Sequence, residues 1–209
     1  MNPVIAYLCA AFIGYLLGSC NLAYFIARRR GIDIRKTGTG NPGASNAMML
    51  MGWKTGILVG VHDIGKAVLS VLLCGLLFPG QPLIRETAGV ACVLGHLFPF
   101  YLAFRGGKGF ASTLGVIAAL NWRFALILGV AIVVAVLVTD YIVVGTMVTV
   151  VSYPIYCLAT HQMIAAAMLA LISLIIILKH RTNFARIFKG TEVGLRRAHQ
   201  GELRVDQSR

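Results

Sequence analysis

From Tyr141 to Leu178 the chain reads YIVVGTMVTVVSYPIYCLATHQMIAAAMLALISLIIIL, 38 residues without one Asp, Glu, Lys or Arg. A bilayer core about 30 Å thick takes about 20 helical residues per crossing. The run is therefore too long for one span, and His161 with Gln162 near its middle marks a turn between two. Working outward, further charge-free runs extend from Met1 to Ala27, Ala67 to Ile84, Thr87 to Phe104, Gly109 to Trp122 and Phe124 to Thr139. With a span from Thr55 to Leu77, polar in its first half, they predict an all-α integral membrane protein of about seven transmembrane helices. Gly109–Trp122 and Phe124–Thr139 are short for crossing alone.

Composition agrees. The 209 residues are 58% hydrophobic and only 12% charged, with a mean hydropathy of +0.81, too little polar material to cover a water-soluble globule. Disorder, collagen-like repetition and a disulfide scaffold are excluded by the same figures. Cys9, Cys20, Cys74, Cys92 and Cys157 lie scattered inside apolar runs, so they read as inert buried thiols, with no metal site among them. No signal peptide is visible, and the reading is of a single membrane-embedded domain over 1–209 with a basic tail from about residue 179. Laid out as seven spans, one side of the membrane holds 16 of the 19 Lys+Arg. The other side holds Arg85 and Arg123, and Lys66 lies inside a span. Positive residues favour the cytoplasm, so the N-terminus is expected outside and the tail in the cytoplasm.

Three clusters fall on or beside the basic side. The first is Gly38-Thr39-Gly40-Asn41-Pro42-Gly43-Ala44-Ser45-Asn46. Its literal GxGxxG follows a membrane helix and an Arg28-Arg29-Arg30 exit rather than a strand, so a dinucleotide site is rejected. Two readings stay open: a glycine-rich anion nest with Thr39, Asn41, Ser45 and Asn46 as side-chain donors, or a re-entrant turn capping the next helix. The second cluster runs from Gly95-His96-Leu97-Phe98-Pro99 to Arg105-Gly106-Gly107-Lys108-Gly109. It lacks the Walker spacing, yet a lysine at a helix start beside free N–H groups suits a phosphate, and a membrane anchor is the alternative. The third is His180-Arg181-Thr182-Asn183-Phe184-Ala185-Arg186 with Gly190-Thr191-Glu192. If the last span continues helically, His180, Asn183 and Arg186 share one face and can bind a phosphorylated or polyhydroxylated molecule; a headgroup-binding surface helix is the alternative. Inside the second span, Asp63 and Lys66 at i, i+3 can pair, which membrane burial demands.

The motifs GTGNPGASN, GHLFPFYLAFRGGKG and HRTNFARIFKGTE resemble the three signature regions of the bacterial acyl-phosphate-dependent glycerol-3-phosphate acyltransferases, in matching order over nearly the whole chain. The resemblance implies transfer of a fatty acyl group from acyl phosphate to the 1-hydroxyl of glycerol 3-phosphate, giving lysophosphatidic acid for phospholipid synthesis, with no cofactor, metal or nucleic acid. It assigns Gly38, Thr39, Gly40, Asn41, Gly43, Ala44, Ser45 and Asn46 to the acyl-phosphate phosphoryl group, with Thr39 where the family has serine. Lys108, His180 and Asn183 would be the catalytic set holding glycerol 3-phosphate, with His96, Gly106, Gly107, Gly109, Thr146, Arg186 and Glu192 as further substrate contacts. One position departs: the family's arginine three residues after the first motif's asparagine is Met49 here. Arg35, Lys36 or Arg105 would then replace it in space, or the acceptor differs.

An acyl phosphate brings its own good leaving group, so stabilising the oxyanion and departing phosphate outweighs an aggressive base. The HxxxxD pair of other glycerolipid acyltransferases is absent, since Tyr101, Ala67 and Ala166 stand five places after His96, His62 and His161. The family resemblance implies that the donor's phosphate takes the proton, and no carboxylate lies near His180 in sequence to strengthen it as a base. A rival reading, an anion transporter or channel, would show the same glycine-rich basic loops. It would also need a polar route to the outer face, where the segments hold little beyond Arg85, Glu86, Asn121, Arg123, His161 and Gln162.

Overall fold

A computed structural model of the chain describes residues 2–192, 194 and 196. Among the described residues, ten α-helices follow one another: α1 Pro3–Ser19, α2 Leu22–Arg29, α3 Ala44–Met51, α4 Trp53–Leu77, α5 Ile84–Leu97, α6 Phe110–Leu120, α7 Trp122–Thr139, α8 Ile142–Ala159, α9 Met163–Lys179 and α10 Arg181–Phe188. No strand is present among the described residues. Of the expected spans, Pro3–Arg29, α4, α7 and α8 are long and apolar enough to cross a membrane, and α9 with α10 makes a fifth if that bent pair counts as one. The 14 residues of α5 and the 11 of α6 reach about 21 and 16 Å at 1.5 Å per residue, less than a bilayer core of about 30 Å.

Two expected spans end early, each for a local reason. The run from Met1 to Ala27 breaks at Cys20 and Asn21, because the Asn21 side chain accepts a hydrogen bond from Tyr24 N–H at 2.9 Å and caps a new helix. The run from Thr87 to Phe104 leaves helix at Leu97, two residues before Pro99, which disfavours helical backbone at Phe98. Its continuation is a 3-10 turn at Phe100–Leu102 and then left-handed backbone at Ala103 and Phe104.

The central element is α5, which packs against α1, α4, α6 and α9. Its contact with α1 is close because both helices are small there. A Cβ on Gly14 would overlap the Ala88 carbonyl, one on Gly18 the Cys92 carbonyl, and one on Gly95 the Tyr15 carbonyl. Small residues let membrane helices approach to backbone contact, where van der Waals packing replaces the hydrophobic driving force that lipid removes. Around this pair lies a core of Ala67, Val71, Cys92, Val93, Leu97, Val116, Val150, Ile172 and Ile176. By contrast, α7 buries Leu128 alone and presents Ile127, Val130, Val134 and Val138 outward, as a lipid-facing helix does.

Two polar features within the apolar body find partners across helices or along them. Pro154 lacks the N–H that would close onto Val150, and the Ser173 hydroxyl donates to that freed carbonyl at 2.6 Å instead. Asp63 and Lys66 are paired at 2.7 Å and almost wholly buried. An isolated charge at mid-membrane costs at least about 2.5–3.5 kcal/mol.

The α1–α5 contact yields a direct test. Gly18→Ala forces the helices apart and should destabilise the protein by about 1–3 kcal/mol, the usual cost of overpacking. A clear fall in the thermal unfolding midpoint of detergent-purified protein is expected; an unchanged midpoint would show that the contact is not tight.

Candidate functional site

All three basic, glycine-rich clusters come together at one end of the bundle. A cavity of about 470 Å³ is lined by Thr39, Gly40 and Asn41 from the first, Gly106, Gly107 and Lys108 with Phe98 from the second, and Lys179, Arg181 and Thr182 beside Ile175 and Leu178 from the third. Lys108, Lys179 and Arg181 give this wall three cations and no carboxylate. It is built for an anion with an apolar portion.

The first cluster is a loop held from beneath. Asn46, fully buried near the start of α3, donates to the carbonyls of Ile34 at 3.1 Å and Thr37 at 3.0 Å and accepts from Thr39 N–H at 2.9 Å. Gly38 and Gly40 have φ of 62° and 69°, and a Cβ at Gly38 would overlap the Asn46 amide oxygen; both positions need glycine. Asn21 donates to the Pro42 carbonyl at 2.9 Å, tying the loop to the α1–α2 break. Ala44 and Asn46 thus build the loop, and Ser45 is exposed outside the cavity lining.

The second cluster folds back on the end of α5. Gly106 and Gly107 N–H groups donate to the carbonyls of Leu97 and His96 at 3.1 and 3.0 Å. A Cβ at Gly107 would overlap the His96 ring. His96 therefore stands behind the loop, buried, rather than in the cavity wall. Gly109, at φ 91°, starts α6 with no side-chain cap on its first-turn N–H groups.

In the third cluster, helix does not continue unbroken as the shared-face expectation required: α9 and α10 meet at His180 with a 47° bend. Asn183 and Arg186 do share a face of α10, and both donate to Glu192, Arg186 at 2.6 Å. Lys108 donates to the Asn183 amide oxygen. Glu192 thus orients Asn183 toward Lys108 and lies behind it. Burial pushes the Lys108 ammonium below the usual lysine value, and Arg186 pushes the same way while Glu192 opposes. His180 is buried with Nδ1 2.9 Å from the Ile176 carbonyl. Burial, the largest influence, moves it below the usual histidine value despite that bond.

Thr146 sits apart, buried on α8 with its hydroxyl 3.3 Å from the Ile142 carbonyl. Met49 is half-buried on α3, and neither it nor Arg35, Lys36 or Arg105 lines the cavity. Arg35 instead pairs with Asp33 at 3.3 Å and lies over the Tyr24 ring. The cations that do line it beyond Lys108 are Lys179, which donates to the Leu97 carbonyl at 2.7 Å, and the exposed Arg181. Sequence reading passed over both, although they flank His180 directly.

The chain is similar to known proteins over most of its length. The family model described as glycerol-3-phosphate acyltransferase matches residues 8–190. A glycerol-3-phosphate acyltransferase of Shouchella clausii is 36% identical over 206 residues, covering 94% of this chain and 99% of that protein. One from Coxiella burnetii is 36% identical over 188 residues, covering 90% and 97%. Among solved structures, the glycerol 3-phosphate form of PlsY (YgiH), an integral membrane glycerol 3-phosphate acyltransferase, superposes with a TM-score of 0.84 at 30% identity, covering 90% of this chain and 95% of that one. Its lysophosphatidic acid form gives 0.80.

Asn46→Ala should unfix the first loop. It strands two carbonyls and an N–H in a buried place, at about 1–3 kcal/mol per unsatisfied group. The thermal midpoint should fall accordingly, and a midpoint equal to that of the unmodified protein would contradict the assigned contacts.

Proposed function

The chain belongs to the glycerol-3-phosphate acyltransferase family, and from that premise we propose how its own residues carry out acyl transfer. It is a membrane acyltransferase that acylates glycerol 3-phosphate to lysophosphatidic acid. The described residues form one membrane-embedded unit, with the cavity at the cytoplasmic face of a bacterial inner membrane, as the basic-residue bias supports. The rival transporter reading gives way to an enzyme. The observation that carries the proposal is the convergence of the three glycine-rich clusters on one cationic cavity with apolar Phe98, Ile175 and Leu178 beside it.

The donor is acyl phosphate. Its phosphoryl group sits against Thr39, Gly40 and Asn41, whose backbone is turned by the positive φ of Gly38 and Gly40. Glycerol 3-phosphate takes the part of the cavity bounded by Lys108, Lys179 and Arg181. The acceptor's 1-hydroxyl oxygen attacks the acyl carbon and forms the ester, the bond from that carbon to the phosphate oxygen breaks, and inorganic phosphate leaves. Lys108 and nearby N–H donors stabilise charge on the carbonyl oxygen and the leaving phosphate. The hydroxyl proton goes to the departing phosphate. This fits His180, which burial weakens as a base and whose Nδ1 is engaged with Ile176. His180 and Asn183 serve to hold the acceptor, and Glu192 with Arg186 fixes Asn183. The family arginine missing at Met49 is replaced in space by Lys179 and Arg181.

Purified protein given acyl phosphate and glycerol 3-phosphate should release phosphate and form lysophosphatidic acid in equal amounts, and should prefer acyl phosphate over acyl-CoA side by side. Lys108→Ala should insert normally and abolish transfer; near-normal turnover would return Lys108 to a membrane anchor. Arg181→Ala should raise the acceptor KM by about tenfold to a hundredfold, corresponding to about 1.5–3 kcal/mol for a hydrogen bond to a charged group. Met49→Arg should leave that KM unchanged or raise it, because the phosphate is already neutralised. A marked fall in KM with Met49→Arg would show that nothing replaces the family arginine.

A further inference from the structure

Beneath the GGKG loop lies a charged cluster that the mechanism does not use. Lys66 Nζ on α4 is 2.7 Å from Asp63 Oδ1, 2.8 Å from the Cys20 carbonyl oxygen and 3.0 Å from His96 Nδ1. An ammonium has three protons. It can only donate, so its contact at 3.0 Å makes His96 Nδ1 an acceptor and leaves the ring proton on Nε2, the edge facing Gly107. The His96 carbonyl receives Gly107 N–H at 3.0 Å, and Lys108 is the next residue along.

On the other side, the Cys20 carbonyl belongs to the break between α1 and α2, where helix stops and backbone groups are freed. The neighbouring Ser19 carbonyl receives the Tyr101 hydroxyl at 2.7 Å, and Tyr101 in turn accepts from Asn21 N–H at 3.1 Å. The Asn21 side chain holds the Pro42 carbonyl. One chain of contacts thus runs from the first loop, through the helix break and Lys66, to the His96 ring and the loop of Lys108. Asp63, 3.5 Å from His96 and 3% exposed, supplies the charge that lets Lys66 remain buried.

We infer that Asp63, Lys66 and His96 are positioning residues that hold the two phosphate-facing loops at a fixed separation. This rests on the acyltransferase reading above. Folding alone does not call for such a cluster, since well-packed apolar residues commonly replace a buried ion pair without loss of stability. What they cannot replace is a donor aimed at acceptors on two other segments, the Cys20 carbonyl and the His96 ring. If Lys66 is lost, the Cys20 carbonyl and the His96 ring are no longer joined, and the walls of the cavity drift relative to each other.

The test removes both charges together with Asp63→Leu and Lys66→Met in the full-length, detergent-purified protein. The double variant is expected to keep its thermal midpoint, while kcat/KM for glycerol 3-phosphate falls at least tenfold, mainly through KM. Its affinity for inorganic phosphate, measured calorimetrically without donor, should weaken by a similar factor. That measurement does not depend on turnover, so failure of the unmodified protein to transfer an acyl group would count against the acyltransferase reading and not against the positioning role. Unchanged phosphate affinity and acceptor KM would overturn the inference, as would a loss confined to kcat. Should the double variant fail to insert, His96→Gln asks the same question without disturbing the ion pair: a rise in acceptor KM at an unchanged midpoint supports the positioning role, and an unmoved KM refutes it.

Discussion

Buried irregular backbone survives only where each freed N–H and C=O finds a partner, and this requirement shapes the functional end of the protein. The α1–α2 break, the loop from Ile34 to Gly43 and the return from Leu97 to Gly109 are all non-helical. Each is fastened by a side chain from another segment: Lys66 on the Cys20 carbonyl, Asn46 on the Ile34 and Thr37 carbonyls, Asn21 on Pro42 and Lys179 on Leu97. These contacts hold the loops, and the close α1–α5 packing through Gly14, Gly18 and Gly95 brings the break near enough for them to form.

The electrostatic design follows from the same arrangement. Three cations line the cavity, while the carboxylate nearest in function, Glu192, lies behind Asn183 and neutralises Arg186 rather than facing the ligand. Partial burial of Lys108 lowers its affinity for a proton and also strengthens its interaction with a phosphate that displaces water. Substrate binding is therefore coupled to charge compensation, and the chemistry asks little of a general base because the leaving group is already activated.

Much of this was legible in the sequence, and the rest was hidden for identifiable reasons. Charge-free runs located the apolar helices, and glycine and lysine spacing located the three clusters, because hydrophobicity and backbone freedom are local properties. The break at Cys20 was masked by the long apolar runs on both sides, with Ser19 and Asn21 as the polar signals. The bend at His180 was also invisible, since Lys179, Arg181 and Asn183 all suit a continuing helix. His96 and Thr146 were grouped with the substrate contacts by motif resemblance, yet the structure sets His96 behind Gly107 and Thr146 inside α8. Lys179 was counted only as a tail charge, and Arg181 stood in the third cluster without a role; their place on the cavity wall depends on the 47° bend, a tertiary feature.

The central claim is that the three clusters form one phosphate-binding cavity. Its most direct test is an experimental structure of the protein with glycerol 3-phosphate bound. The account predicts the phosphate within hydrogen-bond distance of Lys108 Nζ, bordered by Lys179 and Arg181, with the first-motif loop facing it across the cavity. A phosphate bound away from Lys108, or clusters separated so that no single ligand spans them, would contradict it.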